Sequence, residues 1–492
     1  MTQLIYPLLA FLSILIVPGI VGYALLPKTV EKALQWLFGF FIIGIFFLSA
    51  YVGMIPQLLV KNIGVGIFLL CMGKSVIRAV QEHKHGIRLF AVSLPSLIIY
   101  GSICLFLLYA FADIYANPIQ GQDGIVIWLG KAKGFYYWNP LTAISFVRYP
   151  GLGSMLWAVV MMVFGLHESY GRFIYPVAYS MFFITLWSSI NVKKYALPYA
   201  LCLAVLLFFF FRSSLYSGYQ DDFLSLTGGL SVALFILYTF DMEKSYRYML
   251  GCFFGGSLGL IKNEGVLLGL IVFVVFLLLH FKTMRKEWKE KSFFYIKGIL
   301  LFFIVLGFWT VAISLYGLDP RNIQGDQITL QGIFEGYKNF NRIPIIGTYL
   351  YAYFLKNPLF MFIFLGSIIT AIVRPLYRRT IVYILLIIFF HSMSIIWVYF
   401  ATTAPLVWHL ETSLFRLMDQ HMSLYILLAV CCIQLFLFRL RKTPSVSSRD
   451  ISKPGAKRRR IETRLLASTP KDTLSVSSGR VSSTKKSSHI SL

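Results

Sequence analysis

Long apolar runs separated by short polar breaks recur along nearly the whole chain. A helix needs about 20 mostly apolar residues to cross a hydrocarbon core of ~30 Å. Thirteen runs are predicted to do so: 4–26, 34–55, 63–81, 89–112, 172–191, 195–211, 223–240, 249–261, 265–281, 293–317, 357–374, 381–400 and 418–438. The pattern therefore predicts an all-α, polytopic membrane protein.

Three segments interrupt this pattern. Residues 113–150 and 318–356 are too long and too polar to be turns, so we predict two long external loops. The run 151–166 is apolar but short for a span. We predict that it does not cross the membrane, and that it lies along the outer surface or re-enters the bilayer.

Composition excludes a soluble globular domain. Apolar residues make up 58% of the chain and charged residues 13%, whereas a soluble domain carries about 25% charge. The first apolar run lacks the basic start and the small-residue cleavage site of a signal peptide. The six cysteines lie within apolar runs without metal-ligand spacing, which favours a packing role.

The net charge of +25 is concentrated in short loops and in residues 441–492. That basic, serine-rich tail is predicted to be disordered and cytoplasmic, in contact with anionic lipid headgroups rather than nucleic acid. Counting back from the tail places the short basic segments 374–379, 282–291 and 241–247 on the same side. Eleven of the twenty acidic residues then fall on the outer side, where we expect any chemistry.

Asp123 opens the amphipathic segment of the first external loop. Lys131 and Lys133 follow it, among aromatic residues. A carboxylate in such surroundings suits a general base beside a lipid headgroup. The alternative is an aspartate that caps a helix.

Asp221 and Asp222 stand at the predicted outer end of a later span. Adjacent carboxylates repel each other, so two of them at a membrane boundary need a cationic partner, a divalent metal such as Mg²⁺ or Mn²⁺, or deep hydration. The alternative is a helix start, where the helix dipole favours acidic residues. The sequence leaves both open.

Two further segments carry ionisable residues at a predicted membrane boundary. Lys262 and Glu264 lie between two apolar runs, where Lys262 is a candidate phosphate ligand or half of a Lys–Glu pair that closes a turn. Arg416 opposes the positive-inside trend, and its guanidinium fork suits a phosphate. His409 has no partner at metal-ligand spacing and is predicted to be a hydrogen-bonded interfacial residue.

In order along the chain, these segments resemble the GT-C class of membrane glycosyltransferases. The Tyr-Pro-Gly-Leu stretch from Tyr149 and the acidic element at 219–222 are similar to parts of the oligosaccharyltransferase catalytic subunit. The Asp-Gly stretch at Asp123 and the Lys-Asn-Glu-Gly stretch at Lys262 are more similar to bacterial GT-C proteins. The resemblance covers 89–440; residues 1–88 form an additional three-helix segment, and a Trp-Trp-Asp motif and a soluble C-terminal domain are not evident.

The resemblance implies a polyprenyl-phosphate-linked sugar as donor, a glycan, lipid or protein as acceptor, and an active site on the outer side of a bacterial inner membrane. It implies that Asp123 is the base, that Asp221 or Asp222 assists or holds a metal, and that Lys262 and Arg416 hold the donor phosphate. Lys131 and Lys133 are further candidate phosphate ligands, and Glu264, His409 and Tyr149 are other candidate site residues.

The alternatives to a glycosyltransferase are a flippase and a non-catalytic assembly subunit. A flippase for lipid-linked glycans is expected to place ionisable residues near mid-membrane and to have related halves. In this sequence the notable ionisable residues gather at one face and no repeat is evident, which favours the enzyme. A non-catalytic assembly subunit, in which the carboxylates only cap helices, would tolerate loss of the Asp123 carboxylate.

Overall fold

The computed structural model describes residues 2–83, 93–119, 123–144, 146–189, 196–210, 220–318, 338–402 and 404–442. Within these ranges every regular element is helical, as the apolar pattern predicts. The predictions for Tyr219, for most of the second long loop (319–337) and for the basic tail from residue 443 lie outside the described residues.

The α-helices are labelled here in chain order. They are α1 (Thr2–Leu25), α2 (Lys32–Val52), α3 (Gln57–His83), α4 (Leu94–Ala116), α5 (Gly130–Tyr136), α6 (Leu152–Phe164), α7 (Glu168–Arg172), α8 (Ile174–Ser189), α9 (Ala196–Phe209), α10 (Asp221–Phe240), α11 (Tyr246–Ile261), α12 (Asn263–Leu315), α13 (Ile343–Lys356), α14 (Pro358–Val373), α15 (Pro375–Ala401), α16 (Leu406–His409), α17 (Phe415–Asp419) and α18 (Met422–Lys442). Two π-helical segments, Gly124–Leu129 and Leu410–Leu414, precede α5 and α17.

Eight of the described helical segments are long and apolar enough to cross a membrane, fewer than the thirteen predicted spans. Three predicted spans correspond to α8, α9 and α11, with 16, 14 and 16 residues, each shorter than the about 20 residues that a span requires. The predicted span 357–374 is one arm of a helix pair bent by 91°, and this pair is a ninth span if its two arms cross together.

The remaining difference comes from α12, which contains two predicted spans within a helix of 53 residues. Phe273 stacks on Phe302 with ring centroids 4.3 Å apart, although a straight helix would separate these residues by about 40 Å. The helix therefore doubles back. Trp288 and Tyr295, whose rings stack at 6.2 Å, lie near the bend, within or next to the basic connection predicted at 282–291.

The short run predicted at 151–166 forms α6, with 13 residues. Its Met155 and Trp157 are fully buried, and its Leu152 and Leu156 pack against Gly44 of α2. The helix is too short to be a candidate span, in agreement with the prediction. It lies inside the protein and not along an exposed surface, because α2, α5 and α7 pack around it.

Helices α1 and α2 approach closely through glycines. A Cβ atom at Gly39 would overlap the carbonyl oxygen of Pro18 and the backbone nitrogen of Gly22. Small residues permit such contacts between membrane helices, where dispersion and backbone packing replace the hydrophobic driving force. The N-terminal helices are therefore packed to the main helical body and to one another, since α2 also contacts α6 and α8.

We expect Gly39→Ala to lower the stability of the protein by about 1–3 kcal/mol, because the added methyl group forces α1 and α2 apart. Thermal unfolding of the detergent-solubilised protein, followed by tryptophan emission, measures this effect. Gly66→Ala is the matched control, since a Cβ there meets no atom within 4 Å. Equal melting temperatures for both variants would contradict the close α1–α2 contact.

Candidate functional site

Five charged side chains from four distant segments form one cluster. Asp123, Asp221, Lys262, Glu264 and Arg416 are connected by ion pairs, in which Arg416 lies between the carboxylates of Asp123 and Asp221. All five residues are candidates that the sequence predicts. We call this group the charged cluster.

Asp221 is the centre of the charged cluster. It is the first residue of α10, and its side chain is buried. Its Oδ1 accepts hydrogen bonds from Lys262 Nζ at 2.8 Å and from Gln420 Nε2 at 2.6 Å. Its Oδ2 lies 3.3 Å from Arg416 Nε. A buried carboxylate is stable as an anion only when paired in this way.

Lys262 occupies the break between α11 and α12. Its backbone is extended, with φ −154° and ψ 155°, so the chain leaves one helix and starts the next at this residue. The side chain reaches Asp221, and its Nζ lies 3.4 Å from Glu264 Oε1. One of the two alternatives for Lys262, the Lys–Glu pair, is present, and Lys262 also belongs to a larger ionic site. Its role as a phosphate ligand stays a prediction.

Asp123 and Arg416, the ion pair at the exposed side of the charged cluster, each adjoin a π-helical segment. Asp123 immediately precedes Gly124–Leu129, and Arg416 follows Leu410–Leu414 by one residue. A π turn inserts an extra residue and rotates the side chains beyond it relative to a regular helix. Such turns are rare and frequently lie at functional sites.

Exposure separates the charged cluster into two layers. The side chains of Asp221 and Lys262 are 3% and 5% exposed, whereas those of Asp123 and Arg416 are 38% and 25% exposed. The inner pair is fixed by burial and multiple contacts. The outer pair is open to exchange, since exposed ion pairs contribute only about 0–1 kcal/mol.

The electrostatic environment keeps Lys262 charged. Burial alone would lower the pKa of Lys262, but Asp221 and Glu264 outweigh it and raise the pKa above its usual value. Burial and then the Glu264 carboxylate raise the pKa of Tyr149, while Lys262 opposes this rise. Tyr149 is therefore a protonated phenol within the field of the charged cluster.

Three candidate residues lie outside the charged cluster. Lys131 is fully buried and donates to the Tyr149 carbonyl oxygen, and its burial lowers its pKa well below the usual value. Lys133, on the same helix, is exposed. His409 forms a 2.9 Å hydrogen bond with the Thr402 hydroxyl, in agreement with the hydrogen-bonded role predicted for it.

Asp222 is buried beside Asp221, but successive helical residues point about 100° apart. Among the described residues, His, Cys, Asp and Glu side chains form no group of three or more that could hold a metal. Asp221 instead contacts Lys262, Arg416 and Gln420. Asp221 and Asp222 are the first two residues of α10, as the helix-start alternative predicts, and the geometry also gives Asp221 cationic partners.

Gln420 also contacts Asp221 but was not among the site residues predicted from the sequence. It lies four residues after Arg416, the spacing that places two side chains on one helical face, and this spacing was the available signal. Its Oε1 atom and the Oε2 atom of Glu264 are buried and accept no hydrogen bond from the described residues. The site therefore offers two acceptors that a hydroxyl group can satisfy.

Searches against protein-family models, curated proteins and solved structures found no match to this chain. The chemistry of the charged cluster therefore rests on its own geometry.

We expect Lys262→Met to destabilise the protein by about 3 kcal/mol, because it removes one partner of a buried ion pair and leaves Asp221 undercompensated. Thermal unfolding in detergent measures the loss, and Asp221→Asn/Lys262→Met should regain part of it. Lys133→Met, which removes an exposed charge, is the control. If the double variant were the least stable of the three, the two charges would not be coupled.

Proposed function

We propose that the chain is a membrane glycosyltransferase that transfers a sugar from a polyprenyl-phosphate-linked donor to an acceptor at the external face of the membrane. The observation that carries this proposal is the position of Arg416, held by buried Asp221 on one side and paired with partly exposed Asp123 on the other. A cation can hold the donor phosphate, and a carboxylate that separates from it can act as general base.

In this proposal the donor phosphate replaces Asp123 as the outer partner of Arg416. A guanidinium group binds phosphate through two parallel N–H donors, so the exchange retains a charge-assisted contact. Lys262 is too deeply buried to be the main residue that binds the donor phosphate. We assign it a supporting position, in which it fixes Asp221 and thereby orients Arg416.

The exchange also releases the Asp123 carboxylate to act as general base. The acceptor hydroxyl attacks the anomeric carbon of the sugar while Asp123 takes up the hydroxyl proton. The bond between the anomeric carbon and the phosphate oxygen breaks, and its electron pair leaves with the phosphate. Arg416 stabilises the negative charge that develops on this leaving group.

The remaining site residues suit the recognition of a sugar. Glu264 Oε2 and Gln420 Oε1 are buried acceptors that sugar hydroxyls can satisfy, and leaving such groups unpaired against a wrong substrate costs affinity. The phenol of Tyr149 lies in the same field. We propose that these three residues contribute to the choice of sugar.

The long apolar helices agree with an integral membrane protein. We further propose that the protein lies in a bacterial inner membrane. The charged cluster faces outward, and the C-terminus is in the cytoplasm. The acceptor class, whether glycan, lipid or protein, follows from the same resemblance.

We expect purified protein to release label from a polyprenyl-phosphate sugar to an acceptor, and Asp123→Asn to reduce this rate at least roughly a hundredfold, the usual contribution of a general base. The measurement is label transfer by the full-length chain in detergent, with a panel of donor sugars and acceptors. Asp113→Asn is the matched control, because this carboxylate pairs with Asn117 outside the charged cluster.

Equal rates for wild type and Asp123→Asn would remove Asp123 from the mechanism. Binding of the donor without label transfer across the whole panel would contradict the enzyme. In that case, movement of the labelled lipid between the leaflets of reconstituted vesicles would identify a flippase.

We expect Arg416→Lys to raise the KM for the donor lipid roughly tenfold, because lysine keeps the charge but loses the fork that contacts two partners. Steady-state kinetics with varied donor separate this effect from kcat. Arg285→Lys, an exposed arginine near the bend of α12, should leave KM unchanged. An unchanged KM in Arg416→Lys would argue against phosphate binding by Arg416.

A further inference from the structure

A second group of charges lies where α1, α2 and α3 meet, in the N-terminal helices that the proposed function does not use. Lys28 Nζ and Arg78 Nε each lie 3.7 Å from Glu82 Oε1. Lys32 Nζ and the Arg78 guanidinium lie 3.9 and 4.0 Å from the ring centroid of Tyr23. Two cations thus contact one carboxylate and a third lies over the adjoining tyrosine ring, so the group carries excess positive charge.

A groove of about 670 Å³ extends from this group along the helices. Lys32, Gln35 and Glu82 line its polar part. Ile16 of α1 and Met181 and Ile184 of α8 line its apolar part. The groove therefore combines a cationic end with an apolar wall, which complement the anionic headgroup and the acyl chains of an anionic lipid.

Two buried polar groups at this end have atoms without hydrogen-bond partners among the described residues. Gln35 is 1% exposed and lines the groove, and its Nε2 donates to Pro27 while its Oε1 accepts nothing. Arg78 is 9% exposed, and its Nη1 donates to the Tyr23 and Leu26 carbonyl oxygens while its Nη2 donates to nothing. Buried polar atoms are costly unless a partner satisfies them.

We infer that this groove is a binding site for an anionic phospholipid with a hydroxylated headgroup. The phosphate lies against Lys32, with Lys28 and Arg78 adding to the positive potential. A headgroup hydroxyl donates to Gln35 Oε1, and an acyl chain follows Ile16, Met181 and Ile184. A zwitterionic headgroup is disfavoured, because its own cation meets three cations of the protein.

This inference is independent of glycosyl transfer, and lipid binding tests it directly. Delipidated full-length protein in detergent is mixed with equal amounts of phosphatidylglycerol and phosphatidylcholine, and native mass spectrometry measures the ratio of the two bound lipids. We expect wild type to prefer phosphatidylglycerol, and Lys32→Gln to reduce this preference roughly fivefold, the contribution of one basic residue near a membrane surface.

Lys74→Gln is the matched control, since this lysine is exposed on α3 and does not line the groove. It should retain the preference of wild type. The melting temperature of each variant shows whether it is folded. Equal binding of the two lipids by wild type, or equal preference in both variants, would overturn the site. Displacement of phosphatidylglycerol by an equimolar polyprenyl phosphate would assign the groove to a carrier lipid instead.

Discussion

The buried carboxylate of Asp221 constrains the arrangement of the site. An anion in a low-dielectric interior costs several kcal/mol unless cations and hydrogen-bond donors surround it. Its partners Lys262, Arg416 and Gln420 come from segments far apart in the chain. The start of α10, the α11–α12 break and the π-flanked helix α17 must therefore stay together, and Arg416 in turn positions Asp123.

The two ion pairs of the charged cluster differ in how accessible they are. The inner pair of Asp221 and Lys262 is nearly inaccessible, while the outer pair of Asp123 and Arg416 is partly open. The fixed inner pair holds the Arg416 guanidinium in place, so in the proposed reaction a phosphate that displaces Asp123 would meet a preorganised donor. At the N-terminal helices Lys28, Lys32 and Arg78 outnumber the single carboxylate Glu82, and this excess of positive charge is the basis of the proposed lipid site.

The sequence was informative about the fold wherever length and hydrophobicity decide the outcome. An apolar run must form a helix in a bilayer, because every backbone polar group has to be satisfied internally, so the all-helical class was predictable. The number of crossings was not. The runs behind α8, α9 and α11 are apolar but form short helices. The Phe273–Phe302 contact shows that α12 doubles back, in agreement with the two separate runs 265–281 and 293–317.

For the site, the sequence by itself determined which charges to examine. Asp123, Asp221, Lys262, Glu264 and Arg416 were recognisable because ionisable residues at a membrane boundary are costly and few. The tertiary structure decided the pairings: it buried Lys131 and brought Gln420 to Asp221. These outcomes depend on how distant helices pack and where their side chains point, and neither property is encoded by the spacing of residues along one segment.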